Sequence, residues 1–296
     1  MTSPDTPAAP RASTLTFVGT ATTVLQLGGF TVLTDPNFLH RGERAHLGYG
    51  LTSRRLTEPA ITTDGLPRLD AVVLSHLHGD HFDRRARAGL PRTVPIVTTH
   101  HAARRLQRWG FDAATALDTW AARSFERGDE TLRITAVPAR HGPALVHRAL
   151  PPTMGTILEL ERAGRVELRL YVTGDTVFRP FLRKVHERHP EIDVMVTHLG
   201  GTKIGPVLVT MDARQGADLV ELIRPGTTVP IHYDDYGVFR SPLSHFQHEM
   251  RQRGLDAGLR VVLRGDTVPL DGTRRQEGPR RTPRITDPAA SRPAGP

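Results

Sequence analysis

The sequence predicts an α/β fold in which two strand-and-helix layers stack around one hydrophobic core. Three observations predict it. Each half of the chain runs from short β-branched segments into segments of helical spacing. The 27 glycines and 24 prolines cut the chain into many short elements. With 296 residues, 38% of them hydrophobic, there is apolar material for one large domain.

The elements follow in order. Residues 15–18, 24–27 and 30–34 read as strands, with Gly28-Gly29 as the turn of a hairpin. Residues 71–74 form a wholly apolar buried strand, and 94–98 another. Residues 101–109 have helical spacing, and His100-His101 reads as a capping or surface pair. Strands are expected at 132–137, 156–160, 166–172 and 194–197, and again at 228–231 and 259–263. Helices are expected at 177–189, 212–223 and 242–253. Residues 40–60 show little periodicity and are a candidate substrate-side loop. Residues 1–13, rich in Pro, Ala, Ser and Thr, and the Arg/Pro-rich residues 273–296 read as disordered ends, leaving 14–272 as the domain.

Composition excludes several classes. There is no cysteine, so disulfides, thiolate zinc sites, Fe–S clusters and Cys nucleophiles are ruled out. The 15 histidines leave imidazole and carboxylate as the metal donors. No run of 18 apolar residues exists, and the start lacks a signal-peptide pattern, so the expected compartment is the cytoplasm. The net charge of +8 invites a nucleic-acid reading. Only Lys184 and Lys203 among the 39 basic residues are lysine, a skew that reads as the codon usage of a GC-rich genome. Six arginines against Glu277 and Asp287 place half of the excess in the tail, so no nucleic-acid partner is expected.

The informative stretch is Ser75-His76-Leu77-His78-Gly79-Asp80-His81, directly after an apolar strand. His76 and His78 are two apart, so an extended backbone points both the same way. Gly79 is expected to turn the chain and bring Asp80 and His81 alongside. One ion cannot use all four groups with good geometry, whereas two neighbouring ions can. The same strand-end context recurs at His141, Asp175 and His232. Asp35, at another strand end, is either a turn carboxylate before Pro36 or an acceptor behind a metal-bound imidazole.

These residues, with Thr16-Phe-Val-Gly-Thr-Ala-Thr-Thr-Val-Leu25 and Leu33-Thr-Asp-Pro36, resemble the metallo-β-lactamase superfamily. Within it they are similar to the branch of N-acyl phosphatidylethanolamine phospholipase D and L-ascorbate-6-phosphate lactonase. The resemblance spans nearly all of residues 14–271. It implies a four-layer αββα sandwich with the site at one edge between two sheets. It also implies that His76, His78 and His141 hold one metal, that Asp80, His81 and His232 hold a second, and that Asp175 bridges them. Zinc is the expected metal, with manganese the alternative.

A hydroxide bridging two divalent ions is a strong nucleophile at neutral pH. The expected activity is therefore hydrolysis of an ester, lactone, amide or phosphodiester in a small or lipid-like substrate, with Asp80 orienting the nucleophile or taking its proton. A nucleic-acid phosphodiesterase and a non-catalytic metal-binding protein are the alternatives. His198 is either a general acid or substrate contact, or a strand-end histidine. Lys203 either meets an anionic substrate group or is solvated. Tyr233 either donates to an oxyanion or is packed. His245 and His248 read as surface residues.

Overall fold

The computed structural model describes residues 12–48, 50–143 and 150–270. The terminal segments expected to be disordered therefore fall almost wholly outside the described residues. The chain opens with a meander of β1 (Thr14–Gly19), β2 (Thr22–Leu27) and β3 (Phe30–Thr34). Leu27 pairs with Phe30 across the two glycines, and Gly28 takes φ +53, as the expected tight hairpin requires. A small hairpin follows, β4 (Arg44–His46) with β5 (Thr52–Arg54). Then come β6 (Ala71–Val73), α1 (Arg84–Gly89), β7 (Ile96–Thr98), α2 (His100–Arg108) and β8 (Ala114–Ala116).

The second half repeats this plan. Its meander is β9 (Ala122–Arg127), β10 (Glu130–Pro138), β11 (Met154–Arg162) and β12 (Arg165–Val172). It continues through α3 (Arg183–Arg188), β13 (Val194–His198), the hairpin β14 (Lys203–Ile204) and β15 (Val207–Leu208), α4 (Ala213–Ile223) and β16 (Thr227–Ile231). The chain closes with α5 (Leu243–Gln252) and β17 (Thr267–Pro269).

Among the described residues, one sheet has the order β17-β1-β2-β3-β6-β7-β8 and the other β16-β13-β12-β11-β10-β9. Each is antiparallel in its meander and parallel beyond it, except that β17 returns antiparallel to β1. Period-two alternation explains the layering. Leu25, Ala71, Val73, Val194 and Val196 face the core between the sheets. Their neighbours Val24 and Val72 face outward under α1 and α2, and Met195 faces outward under α3 to α5. Because the central strands are covered on both faces, they read as continuous apolar runs. The result is the expected αββα sandwich.

Two expectations are corrected. The helix expected over 177–189 is a 3-10 turn at Pro180–Leu182 followed by the short α3. Pro180 lacks an N–H and starts the helical run rather than sitting inside it. The strand expected at 259–263 is a single bridge from Leu259 to Thr228, and the sheet edge is completed instead by β17 on β1. The segment 40–60 is not structureless, since it carries β4 and β5. Among the described residues no helix is long and apolar enough to cross a membrane.

Candidate metal centre

The buried strand β6 delivers Ser75 to His81 to the edge between the two sheets. This loop is packed against hairpin β4–β5: Gly79 N donates to His46 O at 2.8 Å. A Cβ on Gly79 would lie 2.6 Å from His46 N and 2.8 Å from His46 O. The chain turns here as expected, with His81 N and Phe82 N donating to His78 O, and it is the close backbone approach that requires glycine at 79. His141 follows β10, Asp175 follows β12 after Gly174 at φ +61, and His232 follows β16 at φ +64.

The fold brings all seven sequence-predicted residues together. Nitrogens of His76, His78 and His141 lie within 4.8 Å of one another, as do donor atoms of Asp80, His81 and His232, and those of His76, His81 and Asp175. Asp175 lies between the two triads. Its Oδ2 is 3.8 Å from His141 Nε2, and its Oδ1 is 3.4 Å from His81 Nε2. Asp80 Oδ2 is 3.5 Å from His232 Nε2. His76 Nε2 and His78 Nδ1 are 2.9 Å apart.

Backbone carbonyls orient two of the rings. His141 Nδ1 donates to Val209 O at 2.7 Å and His232 Nδ1 to Leu199 O at 3.0 Å, because a carbonyl can only accept. Both Nε2 lone pairs are thereby aimed into the centre. His81 Nε2, His232 Nε2, Asp80 Oδ1 and Asp175 Oδ1 are buried without a hydrogen-bond partner among the described residues. Four such orphaned atoms in one place are costly unless a cation satisfies them. The donor set, imidazole and carboxylate without thiolate, fits divalent zinc or manganese.

Charge divides the centre into two parts. Burial, with the neighbouring His81 and His78, drives His76 well below the usual imidazole range. Burial and His141 push His78 down to about 4, and burial lowers His141 as well. These three rings are neutral at pH 7. Burial opposes charge on His81 and His232 too, but is outweighed. Asp175, Asp35 and Asp80 push His81 well above the usual range, and Asp175 and Asp80 raise His232. Asp175 is held well below the usual carboxylate range because His232 and His81 outweigh its burial.

Asp35 is fully enclosed. Its Oδ1 accepts from Ser75 N at 2.7 Å and Ser75 Oγ at 2.9 Å, while Oδ2 faces His81 Nδ1 at 3.3 Å and His198 Nε2 at 3.4 Å. This is the position of an acceptor behind an imidazole. His198, at the end of β13, is fully buried with its ring stacked on that of His81 at 5.9 Å. It sits behind His81, which favours the strand-end reading of His198 over the general acid or substrate contact. Tyr233 takes the packed alternative: it lies in the apolar cluster under α3 to α5, with Leu182, Val220 and Phe246. Lys203 is exposed on β14 and lines a cavity of about 340 Å³ with Arg214, Arg240, His245 and His248, none of which belongs to the metal-type cluster. Sequence reasoning gave no role to Ser75, Asn37, Arg55 or Asp235, or to Thr210, whose hydroxyl donates to Asp175 Oδ2 at 3.2 Å. Ser75 opens the histidine stretch, Asn37 follows Asp35 by two residues and Asp235 follows His232 by three, whereas Arg55 and Thr210 carry no such positional signal.

Fold and centre together define a metal-dependent hydrolase of the metallo-β-lactamase type. The chain belongs to the family described as Beta-lactamase superfamily domain, whose model matches residues 31–233. It is 28% identical over 237 residues to a UPF0173 metal-dependent hydrolase of Deinococcus radiodurans, covering 74% of this chain and 92% of that one. Its fold is similar to that of an isothiocyanate hydrolase from Delia radicum gut bacteria, at TM-score 0.73 and 21% identity, covering 86% and 98% of the two chains. It is also similar to a metallo hydrolase from Ignicoccus hospitalis, at TM-score 0.60 and 22% identity, covering 88% and 98%.

Proposed function

We propose that this hydrolase holds two divalent ions and cleaves an ester, lactone or phosphodiester bond in a small or lipid-like substrate. The single observation that carries the two-ion reading is Asp175, whose two oxygens face members of different triads. His76, His78 and His141 would hold one ion, Asp80, His81 and His232 the other, with Asp175 shared. Zinc suits the donors best and manganese is the alternative. Such ions lower the pKa of water and polarise the scissile group.

The chain's own residues supply the rest. Asp80 keeps Oδ2 toward His232 and has Oδ1 unpartnered among the described residues, so Oδ1 is the atom that accepts the proton of the attacking water. Asp35 fixes the His81 ring, and His198 supports Asp35 from behind. Hairpin β4–β5 covers the ligand loop, and a Cβ on Gly48 would lie 3.8 Å from His78 Nε2, so this hairpin forms the substrate-side wall. The lipid-like option rests on the resemblance to the phospholipase and lactonase branch. We assign the hydrolase domain to residues 14–272 and its compartment to the cytoplasm, with no nucleic-acid partner.

Elemental analysis of the purified protein tests this, together with turnover of bis(p-nitrophenyl) phosphate and a simple lactone. Two ions per chain with turnover of either substrate is the expected result. One ion or none after reconstitution with zinc and manganese would overturn the ligand assignment. Two ions with no turnover would favour a metal-binding protein.

A further inference from the structure

Outside the seven ligand-type residues, hairpin β4–β5 and the segment after β16 meet in a second buried polar network. Arg55 and Asp235 are both fully buried, with Nη2 and Oδ1 3.5 Å apart. Arg55 Nε donates to Thr57 O at 3.1 Å, and Nη1 donates to Asn37 O at 3.1 Å and to the Asn37 side-chain oxygen. Asp235 Oδ2 accepts from Thr20 N at 2.7 Å, and its Oδ1 accepts from the Thr57 hydroxyl. Desolvating an ion pair costs stability that apolar packing would not, so what such a pair contributes is a fixed geometry.

Two routes lead from this pair to the metal centre. Along the first, Thr20 O accepts from His232 N at 2.8 Å. Thr20 has φ +54, a left-handed conformation that a β-branched residue holds only when its surroundings impose it, and His232 has φ +64. Asp235 imposes the first by binding the Thr20 amide, and the Thr20 carbonyl supports the second. Gly19 leaves room for this, since a Cβ there would lie 2.7 Å from Arg55 Nη2.

Along the second route, Asn37 Nδ2 donates to Gly79 O at 2.9 Å, between His78 and Asp80. Asn37 Oδ1 also accepts from Tyr236 OH at 2.9 Å. The backbone of Arg55 closes hairpin β4–β5: Arg55 N donates to Glu43 O and Gly42 N to Arg55 O, each at 2.8 Å.

We propose that Arg55 and Asp235 are positioning residues with separate tasks. Asp235 locks His232 into the second ion's subsite through Thr20. Arg55 locks hairpin β4–β5 over the ligand loop through Asn37 and Thr57. The inference rests on the two-ion reading above.

The test uses the full-length, metal-loaded protein. Asp235→Asn is expected to weaken the second ion by roughly 10- to 100-fold and spare the first, so dialysis leaves one zinc per chain where the wild type keeps two. Arg55→Lys keeps a charge opposite Asp235 but loses the guanidinium fork. It is expected to keep both ions, to be cut by trypsin after Arg44 or Arg54 about tenfold faster in the native state, and to raise KM for bis(p-nitrophenyl) phosphate more than it lowers kcat. Asp235→Asn with both ions at wild-type affinity overturns the proposal. So does Arg55→Lys with unchanged cleavage, or equal loss of both ions in both variants, which would mark a merely structural pair. Should Asp235→Asn fail to fold, the Arg55→Lys cleavage rate decides. A wild type with fewer than two ions overturns the two-ion reading itself, before any variant is made.

Discussion

Asp35 stands directly behind His81, its Oδ2 3.3 Å from Nδ1, while Asp175 Oδ1 faces the other nitrogen of the same ring at 3.4 Å. His81 is thus fixed at both ends. Burial raises the Asp35 carboxyl, but His81 and His198 outweigh it and push it down to about 2. It stays ionised across the neutral range and keeps the His81 proton on Nδ1, leaving Nε2 as the donor. Asp35→Asn should weaken metal binding by roughly 10- to 100-fold, as losses behind a metal-bound imidazole do. Titration with a chelating competitor checks this, and unchanged affinity would rule out the orienting role.

His78→Ala and Asp175→Ala remove direct donors rather than supports. Each should lower kcat/KM by on the order of 10²–10³-fold or more and reduce the bound metal together. Asp175→Ala should do so for both ions, because its oxygens face both triads. Parallel elemental analysis and kinetics decide, and full activity in either variant would refute the assignment.

Metal binding should depend on pH differently in the two subsites. A raised imidazole holds its proton up to a higher pH, and that proton must leave before the nitrogen can ligate. His81 and His232 are raised, whereas His76, His78 and His141 are lowered and already neutral at pH 7. Acidification from pH 7 toward 5 should therefore release the ion of the Asp80, His81 and His232 subsite first. Loading at pH 7 should release protons, because the His81 and His232 imidazoles are raised. Calorimetry in buffers of different ionisation heat measures the number, and simultaneous loss of both ions on acidification would contradict the division.

Gly79→Ala should destabilise the fold by about 1–3 kcal/mol, because the new Cβ meets the His46 backbone rather than a movable side chain. Denaturant unfolding gives the value. A neutral result would show that hairpin β4–β5 yields easily.

Tyr233→Phe should leave kcat/KM within about twofold of wild type and stability within about 0.5 kcal/mol. Its hydroxyl has no hydrogen-bond partner among the described residues, and its ring packs in the outer apolar cluster. A large loss of activity would return Tyr233 to the site.

The seven residues that cluster at the centre were legible in sequence because they follow apolar strands, and strand ends converge at one edge of the two sheets. Period-two alternation made the strands readable, and two-sided burial made the central ones continuous apolar runs. The helix at 177–189 was overread because helical spacing says nothing of where Pro180 must sit. The roles of His198, Tyr233 and Lys203 were not legible, because direction of approach depends on packing around the segment and not on adjacency to a ligand.

What the sequence by itself determined is the alternation of strands and helices, the absence of thiolate chemistry and which imidazole and carboxylate residues cluster. Only the tertiary structure decided how those residues are held. Asp35 reaches Ser75, His81 and His198, and Asp235 reaches Thr20 and Arg55, across separations of up to 215 residues. Such pairings are set by where the sheets place their ends. A buried arginine in a chain with 39 basic residues has no local pattern to distinguish it from an exposed one.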